Sequence, residues 1–109
     1  MAGQTPFNAQ NAVISTNGGI YSALALPAGQ NLVKAAPGRV FRLIINTAGT
    51  AGTLAINDAA SVGAVAASNL VFTALNTTAA GTVYNLEFPC MSGIVVTVPT
   101  TGVVSVSYV

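Results

Sequence analysis

The sequence predicts an all-β fold, a small β-sandwich or jelly-roll-like domain of about eight short strands, and three observations carry that prediction. Runs of β-branched, aliphatic and aromatic residues, such as Val40-Phe41-Arg42-Leu43-Ile44-Ile45 and Ile94-Val95-Val96-Thr97-Val98, recur along the chain. Turn formers stand between them: Asn17-Gly18, Pro27-Ala28-Gly29, Pro37-Gly38, Pro89, Pro99 and Thr101-Gly102. Nowhere does a 3.6-residue apolar period persist over the length of an ordinary amphipathic helix, which argues against a wound α/β fold. A closed barrel of the OB or up-and-down kind is the alternative arrangement of the same strands.

Residues 1–11 are polar and mixed and read as an N-terminal arm; residues 12–109 read as one sandwich domain. Val13–Thr16 is a short extended stretch, and the Asn17-Gly18 pair after it is a strong hairpin signal. Ile20–Leu26 is extended without clean alternation. Leu32–Ala35 is a strand closed by Pro37-Gly38. Arg39–Thr47 is the best central strand: period two puts Phe41, Leu43 and Ile45 on one face, Arg39 on that side at the strand's mouth, and Val40, Arg42 and Ile44 on the other. Thr53–Ile56 follows. Ala59–Ser68 is rich in Ala, but Gly63 and the valines weaken a helix there, so a loop with one helical turn is expected. Leu70–Leu75 is a strand. Val83–Phe88 alternates, with Tyr84, Leu86 and Phe88 facing inward, and Pro89 is expected to stop it. Ile94–Val98 ends at Pro99, and in Val103–Val109 the alternation places Val104, Val106 and Tyr108 inward. Asn46–Leu54 and Asn76–Val83 resemble each other and read as two hairpin loops of similar build, or as chance in a chain so rich in Ala, Thr and Gly.

The charge census narrows the function. Of 109 residues, only 5% are charged while 52% are hydrophobic: Lys34, Arg39 and Arg42 against Asp58 and Glu87, with no His and one Cys. A net charge of +1 is a poor basis for phosphate binding. Without His, the usual zinc sites and the usual general base are missing. Asp58 and Glu87 as a glycosidase pair lack any supporting pattern. Asp58 suits a turn where its carboxylate accepts backbone N–H groups, and Glu87 suits the polar face of its strand. Cys90 reads as a small buried hydrophobe, since no basic neighbour activates it. Asn76-Thr77-Thr78 matches a glycosylation acceptor, read as accidental because no secretory leader is visible. No apolar run has the length of a membrane helix, and no phosphate loop, cofactor or metal motif occurs. Lys34, Arg39 and Arg42 remain as a basic cluster that meets solvent, Glu87 of a neighbouring strand, or carboxylates of a partner protein. So few charges cannot coat a domain, which favours an assembly subunit over a plain monomeric β domain.

Four stretches carry a family resemblance: Asn31-Leu32-Val33-Lys34-Ala35-Ala36-Pro37-Gly38-Arg39-Val40-Phe41-Arg42, Asn57-Asp58-Ala59-Ala60, Phe88-Pro89-Cys90-Met91-Ser92-Gly93-Ile94-Val95-Val96 and Val103-Val104-Ser105-Val106-Ser107-Tyr108. Together, over Asn31–Val109, they resemble small β-sandwich virion accessory proteins of tailed bacteriophages and prophages, of the head decoration or cement type. The resemblance implies a non-enzymatic capsid-decorating protein without cofactors. It would be made in the bacterial cytoplasm, assembled as a homo-oligomer with a trimer favoured, and bound to the major capsid protein or another virion protein. A tail or fibre module holding a host glycan or protein is the alternative. Partner contacts are expected at Lys34, Arg39 and Arg42.

Overall fold

The computed structural model describes residues 19–109, in which eight strands form two four-stranded antiparallel sheets. The strands are β1 (Tyr21–Leu26), β2 (Gly29–Lys34), β3 (Gly38–Thr47), β4 (Thr53–Asn57), β5 (Leu70–Leu75), β6 (Val83–Cys90), β7 (Ile94–Val98) and β8 (Val103–Tyr108). One sheet has the order β1-β8-β3-β6 and the other β2-β7-β4-β5. The expected arm at 1–11, the Val13–Thr16 stretch and the Asn17-Gly18 turn lie outside the described residues.

The order follows from a single long hairpin. Its closing loop joins β4 to β5, and the pairs β4–β5, β3–β6, β2–β7 and β1–β8 zip outward from there. Rolling that ribbon over stitches β3 to β8 and β4 to β7, which yields two sheets face to face. This is the jelly-roll winding, the more specific of the two architectures the sequence predicts.

Position in the sheets decides burial. Each sheet has two central strands, β8 and β3 or β7 and β4, and these supply nearly all of the fully buried core: Val40, Leu43 and Ile45 face Leu54, Ile56, Ile94, Val96 and Val98, with Val104, Val106 and Cys90 around them. The outer strands contribute half-buried residues such as Phe72, Tyr84 and Leu86. Tyr108, on a central strand but near its end, is half-buried as well.

Several details differ from the sequence reading, each for a local reason. Against β8, Val40 stands opposite Tyr108 and Arg42 opposite Ser107, so β3 carries an extra residue at Phe41. That bulge reverses the phase of the strand. Val40 therefore joins Leu43 and Ile45 in the core, Arg39 turns to the outer side, and Phe41 packs toward Gly19 and the Tyr108 backbone. Phe88, expected inside, is 46% exposed. It lies on an edge strand, beyond a point where β6 carries one more residue than β3 and Glu87 takes a left-handed φ of 49°. Pro89 does not stop β6, which continues to Cys90, because an edge strand needs no ladder N–H on its free side. The β2 strand begins earlier than expected, at Gly29.

Ala59–Asn69 contains two single 3-10 turns, Val62–Ala64 and Ala67–Asn69, and no longer helix. Asn57 anchors this excursion: its Nδ2 donates to the Ala66 carbonyl at 3.0 Å and to Asn69 Oδ1 at 2.8 Å. The loops after β3 and after β5 are not hairpins. Each carries the chain from one sheet to the other, and they lie side by side at one end of the sandwich.

Candidate binding surface

One side chain pins each end of the sandwich. Asn76, only 1% exposed, sits where the β3–β4, β5–β6 and β7–β8 loops converge. Its Nδ2 donates to the carbonyls of Ala51 (2.8 Å) and Thr100 (3.0 Å), while its backbone bonds Gly49 and Gly52. Gly49 and Gly102 leave the space for this amide, since a Cβ on either would overlap it. The Asn76 amide of the Asn76-Thr77-Thr78 motif is therefore a structural donor in the folded chain.

At the other end Asp58 does what its turn position suggests. Its carboxylate accepts the N–H groups of Met91 (2.9 Å), Ser92 (2.7 Å) and Gly93 (3.3 Å), holding the β6–β7 turn. Burial raises the pKa of this carboxyl, but the bonds from Ser92, Met91 and Gly93 together outweigh it and leave the pKa below the ordinary value. Cys90, 1% exposed, has its thiol pushed up to about 11, first by burial and then by the Asp58 charge. A neutral, enclosed thiol is not a nucleophile. Asp58 is thus committed to the β6–β7 turn and Cys90 to the apolar core.

The outer face of the β1-β8-β3-β6 sheet is different. Cross-strand register sets two rows across it. The first runs Ser22, Ser107, Arg42, Asn85. The second runs Ser105, Ile44, Val83, with Leu24 at its β1 end. Leu24 is 72% exposed, Val83 48% and Ile44 38%, so three aliphatic side chains stand in water beside the polar row. Between the rows lies a shallow depression of about 190 Å³ lined by Ser22, Leu24, Arg42, Ile44, Ser105 and Ser107.

Its polar groups are unequally satisfied. Ser105 Oγ accepts the Ala25 N–H at 2.9 Å and donates to Asn46 Oδ1 at 2.6 Å. Arg42 Nε donates to Asn85 Oδ1 at 3.0 Å, and its terminal nitrogens have no partner among the described residues. Ser107 Oγ is enclosed and has none either.

The three basic residues make different contacts. Arg39 shares the outer side with Arg42, but its Nη1 donates to the backbone carbonyl of Glu87 at 3.2 Å and not to the carboxylate. Lys34 ends β2 in the other sheet, its chain lying over Gly38, where a Cβ would come within 3.0 Å of Lys34 Cδ. Of the three, Arg42 alone lines the depression. The serines and aliphatics beside it were missed by the sequence reading. The Val-Ser-Val-Ser alternation of β8 signals outward hydroxyls, but which strands flank them depends on topology.

The chain matches no protein-family model, no curated protein and no solved structure.

Proposed function

We propose that the protein is a non-enzymatic structural subunit of a phage virion, which attaches to the capsid through the outer face of the β1-β8-β3-β6 sheet. The observation that carries this reading is the composition of that face: exposed Leu24, Ile44 and Val83 around one guanidinium whose terminal nitrogens have no partner among the described residues. Such a face suits a flat protein surface with apolar side chains and a carboxylate for Arg42. Viral capsid domains use jelly-roll winding, which supports the reading by analogy of fold alone. The near-absence of charge fits a subunit whose surface is covered in an assembly.

Co-sedimentation with empty heads of the phage or prophage that carries the gene tests this. The wild-type chain should pellet with heads. Arg42→Gln should weaken attachment roughly tenfold or more, and Ile44→Asp should abolish it. Salt at about 1 M should weaken the wild-type interaction, because it screens the Arg42 contact. A chain that ignores heads and pellets with tails would support the recognition-module reading instead, and binding to neither would overturn both.

A further inference from the structure

We infer that the free edge of β5 is a self-association edge, at which two copies of the chain pair antiparallel about a two-fold axis centred on Thr73. The inference is independent of the virion reading and concerns the sheet opposite the proposed attachment face.

Among the described residues four strands have a free edge: β1, β2, β5 and β6. Exposed edges invite pairing unless they are blunted by charge, proline or distortion. Three of the four are blunted. In β6 the ladder carries an extra residue, Glu87 is left-handed and Pro89 lacks a donor. A two-fold axis through β6 would also bring Glu87 toward its own copy. The β2 edge ends in Lys34 after a register shift. The β1 ladder is interrupted at Ala25, which has a φ of 52° and an N–H committed to Ser105 Oγ.

The β5 strand is Leu-Val-Phe-Thr-Ala-Leu, with no charge, no proline and no glycine. Its one irregularity, the extra residue Val71, lies near its start, so Phe72–Leu75 runs in regular register with β4. A two-fold axis sets every side chain against itself or a symmetric neighbour. An uncharged strand passes that test without like-charge repulsion.

The hydrogen-bond phase points the same way. Asn76 N donates to Gly52 O, and Leu75 stands opposite Thr53. In an antiparallel ladder this makes Ala74 and Phe72 the residues that exchange bonds with β4, and it turns the backbone groups of Thr73 and Leu75 to the other side. The Leu75 carbonyl is taken by Thr78, but the Leu75 N–H and both groups of Thr73 face the free edge. With the axis at Thr73, the two Thr73 residues exchange a pair of N–H···O bonds and the Leu75 N–H groups extend the ladder. Leu75, 66% exposed, gains cover from the second copy. Such an edge closes a pair, where the family resemblance leads one to expect a trimer.

Thr73→Pro isolates the edge, because it removes an outward N–H and leaves the ladder to β4 intact. In sedimentation equilibrium at tens of micromolar, the wild-type chain should have the mass of two copies, unchanged by salt. Thr73→Pro should have the mass of one, with its β-sheet circular dichroism retained. Should the proline variant not fold, a charge pair replaces it: Thr73→Lys and Thr73→Asp should each be monomeric alone and form a mixed dimer when combined. A monomeric wild-type chain, a Thr73→Pro variant that stays dimeric, or Lys and Asp variants that do not combine would overturn the inference. None of these outcomes depends on whether the chain binds phage heads.

Discussion

Truncating Asn76 to alanine should cost about 3 kcal/mol of stability, although no sequence feature marks the residue as structural. Its amide makes two hydrogen bonds, to Ala51 and Thr100, each worth about 1 kcal/mol net. The two carbonyls belong to exposed residues, so water can replace the lost donor and no larger penalty follows. Removing an enclosed amide also leaves a hole where three loops meet, adding about 1 kcal/mol. With a urea m-value of about 1–3 kcal/mol/M for a domain of this size, the midpoint should fall by roughly 1–3 M. A double-mutant cycle sharpens the test. Gly49→Ala alone should be destabilising because its methyl would overlap the Asn76 amide, and the same change should cost far less in the Asn76→Ala background. A loss under about 0.5 kcal/mol for Asn76→Ala, or strictly additive effects in the cycle, would refute the view that this amide ties the loops together.

Asp58 makes the fold acid-sensitive. Its folded pKa lies below the ordinary value, so its contribution is present above the unfolded value of about 4 and is lost as pH falls through the lower folded one. The wild-type urea midpoint should drop below about pH 4, Asp58→Asn should be less stable at neutral pH and flatter in acid, and a wild-type midpoint independent of pH in that range would count against the bond set at the β6–β7 turn. On β6, Leu86→Ala should cost about 2 kcal/mol because Leu86 packs against the core, whereas Phe88→Ala should cost less than about 1 kcal/mol because Phe88 stands half in water. Equal losses in chemical denaturation would mean that the edge-strand distortion at Glu87 is absent in solution.

Strand existence was legible wherever one strand's own pattern sufficed. The bounds of β5 and β7 coincide with Leu70–Leu75 and Ile94–Val98 as read from sequence. Asp58 as a backbone acceptor and Cys90 as a buried thiol followed from local chemistry. What escaped depends on two or three strands at once. The Phe41 bulge that turns Val40 inward is a mismatch of β3 with β8, and no glycine or proline announces it. Glu87 adopts its left-handed conformation without the glycine that would signal one. Pro89 reads as a terminator unless its strand is known to be an edge, and the place of Arg42 in the depression emerges only once the rows of neighbouring strands are in register.

The same dependence explains how a chain with five charged side chains can be held firmly and still leave one guanidinium available to the partner proposed above. Asp58 is committed to three backbone N–H groups and Arg39 to a backbone carbonyl, so charge is used here to terminate loops and edges and not to form ion pairs with other side chains. The remaining stability comes from the apolar layer between the sheets and from ladder bonds, neither of which salt screens appreciably. Arg42 is the exception. Its Nε is fixed by Asn85 while its other nitrogens, without a partner among the described residues, lie in a depression walled by Leu24 and Ile44. A guanidinium aimed in this way loses little orientational freedom on meeting a carboxylate, and the aliphatic walls would exclude competing water once a partner surface covers them. Salt sensitivity should therefore be confined to whatever docks on this face, and folding and β5 pairing should be indifferent to it.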